Sequence, residues 1–276
     1  MPEETSFLER AGGRIAYDDA GAGPLVIAVP SLGDIRQEYR QLRQRLIAAG
    51  FRVVTMDLRG HGESSAGWND YRQEAIGDDI LALIDALDAG PATIIGTSYG
   101  AGAAVWAAAE APDRVCSLVL IGPFVRAIPP SLLQQVAMKV LFRGPWKVRA
   151  WAWYYGALYP TAKPSDFDRY RRRLSAMLQE PGRFAALQAM LDAPRDGVEA
   201  RLADVRVPVL VVMGTKDPDF PDPAAEAALV AERIQGQVAL IDGAGHYPHA
   251  ELPDQTADVI LRFLQGHPPG GPVASS

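Results

Sequence analysis

A serine with a glycine two residues to either side, Gly96-Thr97-Ser98-Tyr99-Gly100, is the segment of this 276-residue chain with the most chemical content. It follows the apolar run Ala92-Thr-Ile-Ile95 and precedes the small-residue stretch Ala101-Gly-Ala-Ala-Val-Trp-Ala107, so it joins a strand to a helix. A G-x-S-x-G turn in that setting projects the serine Oγ from a sharp bend and aims the next backbone N–H at a developing oxyanion. The glycines keep neighbouring atoms out of the way. A phosphate or dinucleotide turn is the competing reading. It fails on detail, because Gly100-Ala-Gly102-Ala-Ala-Val105 lacks a third glycine and no lysine follows.

A serine nucleophile needs a base, and a histidine base needs a carboxylate to fix its tautomer. Of the four histidines, His246 closes the loop Asp242-Gly-Ala-Gly-His246 after the apolar run ending at Ile241, near the carboxyl end of a strand where sites of α/β proteins lie. His61 reads as a loop-stabilising residue within Arg59-Gly-His-Gly-Glu-Ser64, and His267 lies in the tail. His246 and His249 have no accompanying cysteine cluster or H-E-x-x-H motif, so no metal is expected. Asp217, in Gly214-Thr-Lys-Asp217 after the run Val209-Leu-Val-Val-Met213, is the favoured acid, with Asp219 and Asp222 as rivals. The chain order Ser98, Asp217, His246 is that of α/β hydrolases.

To position these groups, short apolar runs must alternate with helical periods, the pattern of helices on a mostly parallel sheet. Strands are predicted over 6–10, 14–18, 25–30, 52–57, 92–97, 115–121, 207–213 and 237–241, and helices over 36–49, 71–88, 99–111, 222–234 and 254–265. The alternation breaks between Phe124 and Ala203, where helical periods carry no convincing strand. This marks an insertion whose residues Trp151, Tyr154, Tyr155 and Leu158 share one helical face. That face reads as packing against the main domain or as the apolar roof of a pocket, and both can hold at once. The expected division is a core over 1–125 and 204–266, an inserted segment over 126–203 and a disordered tail over 267–276.

Composition narrows the partners. Hydrophobic residues at 48% and charged residues at 22% exclude a disordered or collagen-like chain. A net charge of -6 disfavours nucleic acid, and no apolar run is long enough for a membrane span. Cys116 alone forms no disulfide framework and reads as a buried small hydrophobe. The acidic start, Met1-Pro-Glu-Glu4, lacks the marks of a secretory signal, so cytoplasmic residence is expected. Charge is uneven: residues 126–203 hold 13 Lys and Arg against 6 Asp and Glu. Its densest part is Arg169, Arg171, Arg172 and Arg173, read as a solvated face or as a basic surface that draws anionic substrates.

Together the loop Asp57-Leu-Arg-Gly-His-Gly-Glu-Ser64, the Gly96–Gly100 elbow, Gly214-Thr-Lys-Asp217 and Gly243-Ala-Gly-His246 resemble the α/β-hydrolase fold family over residues 6–266. The resemblance implies an eight-stranded mostly parallel sheet flanked by helices, a helical cap inserted after the sixth strand, and Ser98, Asp217 and His246 as the triad. It also implies an oxyanion hole from the backbone N–H groups of Leu32 and Tyr99. One departure stands there, since Pro30-Ser31 precedes Leu32 where such proteins usually carry His-Gly. Ser31 can then act as a local hydrogen-bond anchor or the loop can be tighter. The expected activity is hydrolysis of a carboxylic ester, or a related acyl bond such as a lactone, with Trp151, Tyr154 and Tyr155 against a small, largely apolar substrate and no cofactor. Carbon-carbon bond hydrolysis and perhydrolysis use the same constellation, and a ligand receptor that retains the triad is the non-enzymatic alternative.

Overall fold

The computed structural model describes residues 5–126 and 141–267. One eight-stranded sheet runs in the order β1-β2-β4-β3-β5-β6-β7-β8. Its strands are β1 (Ser6–Arg10), β2 (Gly13–Ala20), β3 (Leu25–Val29), β4 (Arg52–Met56), β5 (Ala92–Thr97), β6 (Val115–Ile121), β7 (Val209–Gly214) and β8 (Gln237–Ile241). β2 pairs antiparallel with both β1 and β4, and every pairing from β4 across to β8 is parallel.

β3, β5 and β7 are buried at every position because helices cover both faces of the sheet. The helices are α1 (Arg40–Ala48), α2 (Gln73–Leu87), α3 (Tyr99–Glu110), α4 (Lys147–Ala157), α5 (Phe167–Gln179), α6 (Arg183–Asp192), α7 (Asp196–Arg201), α8 (Pro223–Ile234), α9 (Pro248–Glu251) and α10 (Pro253–Gly266). Ile76 and Ile80 of α2, Ala104 and Ala108 of α3 and Val230 of α8 join a core with Ile27, Ile94, Leu118 and Val211. Leu42 and Leu46 of α1 and Ile260 and Phe263 of α10 join a second core with Val26, Ile95, Val119 and Val212. Neighbouring residues of one strand thus serve opposite layers, as the pleat requires.

Helices α4–α7 lie between β6 and β7, where the sequence predicts an insertion; residues 127–140 of that segment are outside the described residues, as is the tail beyond His267. A third apolar cluster joins Trp151, Tyr155, Phe167, Tyr170 and Phe184 of this segment to Ile35, Tyr247 and Ala250. Asp34, fully buried, anchors it. Its carboxyl accepts hydrogen bonds from the Tyr155 hydroxyl at 2.9 Å, from the Tyr170 hydroxyl and from the Ile35 N–H at 2.8 Å. Arg40 of α1 adds a two-bond ion pair to Asp166 at 2.7 and 2.8 Å.

The predicted and observed elements differ mainly at ends. The helix predicted over 36–49 opens as a 3₁₀ turn, Arg36–Tyr39, because carboxylates take its first donors: Asp57 accepts the Arg36 N–H at 2.7 Å and Asp34 that of Ile35. The strand predicted from 207 starts at Val209, after Pro208. Cys116 is only part-buried, with Sγ 3.4 Å from Thr93 Oγ1, rather than sealed in the core. In the arginine run of α5, Arg172 and Arg173 are exposed and Arg171 pairs with Asp168 at 3.2 Å on its own helix. Among the described residues no helix is long and apolar enough to cross a membrane.

Burial, and then the charge of Glu38, push the Asp34 carboxyl up to about 8 against the pull of its hydrogen bonds. A carboxyl raised on folding favours the fold fully below its unfolded value of about 4, and that contribution is lost as pH rises through the folded value. Asp34→Asn should therefore gain stability over wild type at pH 8 relative to pH 5 in urea unfolding. An equal difference at both pH values would mean that Asp34 is already ionised in the fold.

Candidate active site

Ser98 occupies the turn between β5 and α3 with φ 54° and ψ −112°, a backbone state that L residues rarely adopt. The surroundings hold it there. Its N–H donates to Ile121 O at 2.8 Å, and its carbonyl accepts from Ala101 N at 3.1 Å and Phe124 N at 3.2 Å. Gly100 is required by close approach, since a Cβ there would meet Val29 O and Pro30 O at 2.5 Å. That contact brings the start of α3 against the end of β3.

His246 and Asp217 come from the loops after β8 and β7. The ring Nδ1–H donates to Asp217 Oδ2 at 2.7 Å, while Asp217 Oδ1 accepts the Asp219 N–H at 3.0 Å. Asp219 lies farther from the ring nitrogen, at 3.8 Å, and takes the Tyr154 hydroxyl at 2.6 Å. The structure thus pairs the favoured acid with the ring and gives the nearer rival another partner. The two loops are tied by Lys216 N to Ala244 O at 2.8 Å and Thr215 N to Ile241 O at 3.1 Å.

The end of β6 joins this pair to the serine. Ile121 accepts the Ser98 N–H, and the next residue, Gly122 (φ +50°), lies so close that a Cβ there would be 3.1 Å from His246 Nδ1 and 3.3 Å from Asp217 Oδ2. Phe124 then sets its ring edge-on to His246, 5.8 Å between centroids. Gly122 and Phe124 carry no local pattern that marks them in the sequence, and only their tertiary contacts with His246 and Asp217 bring them into the site.

The loop after β3 resolves the Pro30-Ser31 departure. Ser31 donates its N–H and hydroxyl to Glu38 Oε2 at 2.8 and 2.9 Å, and its Oγ lies 2.7 Å from the Tyr247 hydroxyl, so it is an anchor. The Gly33 N–H donates to His61 Nε2 at 3.0 Å, and His61 Nδ1–H donates to Arg59 O at 2.9 Å. Burial lowers the His61 pKa to about 4, which keeps Nε2 an acceptor. His61 is a loop-stabilising residue. No described residue accepts the Leu32 N–H, and Tyr99 heads α3, where the N–H has no partner within the helix. Trp151 packs its ring over Gly33, Tyr155 is buried on Asp34, and both are nearly sealed at 3% and 1% exposure.

The donor atoms of Asp217, Asp219 and His246 lie within 4.8 Å of one another, compact enough for a cation. They are already matched to protons, however, with the ring N–H on Asp217 and the Tyr154 hydroxyl on Asp219.

Residues 24–253 match the family described as "alpha/beta hydrolase fold". The chain belongs to the α/β hydrolase fold family. It is 31% identical over 91% of its length to 2-(acetamidomethylene)succinate hydrolase of Mesorhizobium japonicum, covering 92% of that protein. It is 30% identical over 87% of its length to pimeloyl-[acyl-carrier protein] methyl ester esterase of Neisseria meningitidis, covering 77% of it. In fold it is similar to an esterase from Exiguobacterium antarcticum, with a TM-score of 0.83 at 19% identity over 95% of this chain and all, 100%, of the other.

Burial lowers the affinity of His246 for its proton, but the charge and hydrogen bond of Asp217 outweigh this and raise the pKa to about 9. Asp217→Asn removes the charge, so the ring should titrate well below its wild-type value, toward or past free imidazole, when followed by NMR of its ring nitrogens. An unchanged titration would mean that Asp217 does not govern this ring.

Proposed function

We propose that the chain is a serine hydrolase that cleaves a carboxylic ester, or a related acyl bond such as a lactone, in a small, largely apolar substrate. The observation that carries this reading is the 2.7 Å bond between His246 and Asp217 at the strand end that also receives the Ser98 N–H. The esterase and hydrolase names of the relatives support it.

In this reading Ser98 Oγ attacks the carbonyl carbon while His246 Nε2 takes its proton, and Asp217 stabilises the imidazolium. The N–H groups of Leu32 and Tyr99 receive the oxyanion. His246 then returns the proton to the leaving alcohol, and water repeats the sequence to release the acid and free Ser98. Residues 126–203 act as a cap over the core of 1–125 and 204–266, with Trp151, Tyr154 and Tyr155 as the aromatic wall of the acyl site. The reaction takes place in the cytoplasm and needs no cofactor.

Ser98→Ala should lower turnover of a chromogenic acyl ester by roughly six decades while leaving the fold intact. Turnover near the wild-type rate in folded Ser98→Ala would remove the serine from the mechanism. Turnover at wild type itself should rise with pH along a limb centred above neutrality, because only the unprotonated ring accepts the serine proton. A limb centred below pH 6 would conflict with the ring environment.

A further inference from the structure

Among the described residues, Arg195 is an arginine without a carboxylate partner. Several other buried or part-buried arginines of this chain have carboxylates: Arg36 meets Asp18, Asp57 and Glu63, Arg59 meets Asp79, Arg40 meets Asp166 and Arg126 meets Glu226. Among the described residues no carboxylate and no hydrogen-bond acceptor meets the Arg195 guanidinium, and residues 127–140 contain no Asp or Glu. Its Nε is buried and unpartnered, and the residue as a whole is part-buried. Taking a cation from water without a counter-charge is unfavourable, so a part-buried guanidinium of this kind fits a site completed by something that binds.

Its location says what that is. The guanidinium carbon stands 5.6 Å from the centroid of the Phe124 ring, and the same ring meets His246 edge-on at 5.8 Å. Phe124 is also the residue whose N–H holds the Ser98 carbonyl, and Gln73 clamps the Phe124 and Tyr99 carbonyls at 2.9 and 3.0 Å. One aromatic ring is therefore the common neighbour of the guanidinium and the base. Two terminal N–H donors in a plane match the two oxygens of a carboxylate.

We infer that Arg195 is a specificity-determining residue that receives a carboxylate carried by the substrate, so that the preferred ester is an acidic one. This rests on the serine-hydrolase reading for the reaction, but not for the binding. Serine, oxyanion donors and base handle the acyl group, and Arg195 fixes the distal end through a charge-assisted pair.

The test compares matched substrates in wild type, Arg195→Met, Arg195→Gln and Arg195→Lys. On the acyl side the pair is para-nitrophenyl hemiadipate and its isostere with isopropyl in place of the carboxylate. On the alcohol side it is para-carboxyphenyl acetate and para-isopropylphenyl acetate. The quantity read is the ratio of kcat/KM for the acidic ester to that for its neutral partner. For at least one pair the ratio should fall roughly 10- to 100-fold in Arg195→Met and Arg195→Gln and less in Arg195→Lys. The pair that responds reports which side of the ester bears the carboxylate. Unmoved ratios in both pairs would overturn the inference, since a merely structural Arg195 would lower both members of a pair alike. Binding of the same esters to Ser98→Ala, with and without Arg195→Met, separates the two claims. A loss of affinity confined to the acidic ester, with no hydrolysis by wild type, would uphold the carboxylate site and reject the esterase; hydrolysis with no such loss and unmoved ratios would do the reverse.

Discussion

The hydrogen bond from His246 to Asp217 depends on the ends of three adjacent parallel strands arriving at the same level. The loop after β7 supplies the acid, the loop after β8 the histidine, and β6 lies beside β7 and is followed by a glycine against both side chains. A parallel sheet with both faces covered delivers this, because its strand ends share one edge and its connections are free to vary there. The same edge receives the serine turn from β5 and the anchored loop from β3. Each contribution is an irregular piece of backbone held by named bonds, while regular structure carries the mass of the core.

The loops are fixed by buried polar groups. Ser31, Glu38, Tyr247 and Asp34 with its two tyrosines form a cluster next to the Leu32–Gly33 turn. Glu38 Oε1 approaches His249 Nε2 at 3.2 Å, and the His249 ring stacks on Tyr39, 5.1 Å between centroids. Apolar packing alone would leave such a turn free to shift, whereas directional bonds specify where its backbone N–H groups point. The aromatic residues of the inserted helices take part in the same network, so those helices and the Leu32–Gly33 turn are set together. This gives Tyr155 a positioning task besides its place in the proposed acyl wall.

Much of this was legible in the chain. The apolar runs of β3, β5, β6 and β7 identify central strands by composition alone, and the Gly96–Gly100 turn, Asp217 and His246 are marked by their places after such runs. Local spacing does not reach further. That Glu38 holds Ser31 depends on a 3₁₀ turn seven residues on, and Gly122 matters through side chains nearly a hundred residues away or more. Arg195 sits among twelve other Lys and Arg of the 126–203 segment, and only the tertiary positions of the described carboxylates reveal that none of them meets it. Trp153 shows the opposite limit: two residues from buried Trp151 on the same helix, it is 67% exposed and faces solvent.

The central claim is that the strained residue at the β5–α3 turn is a nucleophile activated by the His246–Asp217 pair. Intact-protein mass spectrometry after exposure to a fluorophosphonate, followed by peptide mapping, addresses it directly, because the reagent forms a stable bond only with an activated hydroxyl. The account predicts one adduct per chain, located on Ser98, formed slowly or not at all in His246→Ala. An unmodified protein, or an adduct on another residue with Ser98 untouched, would contradict it.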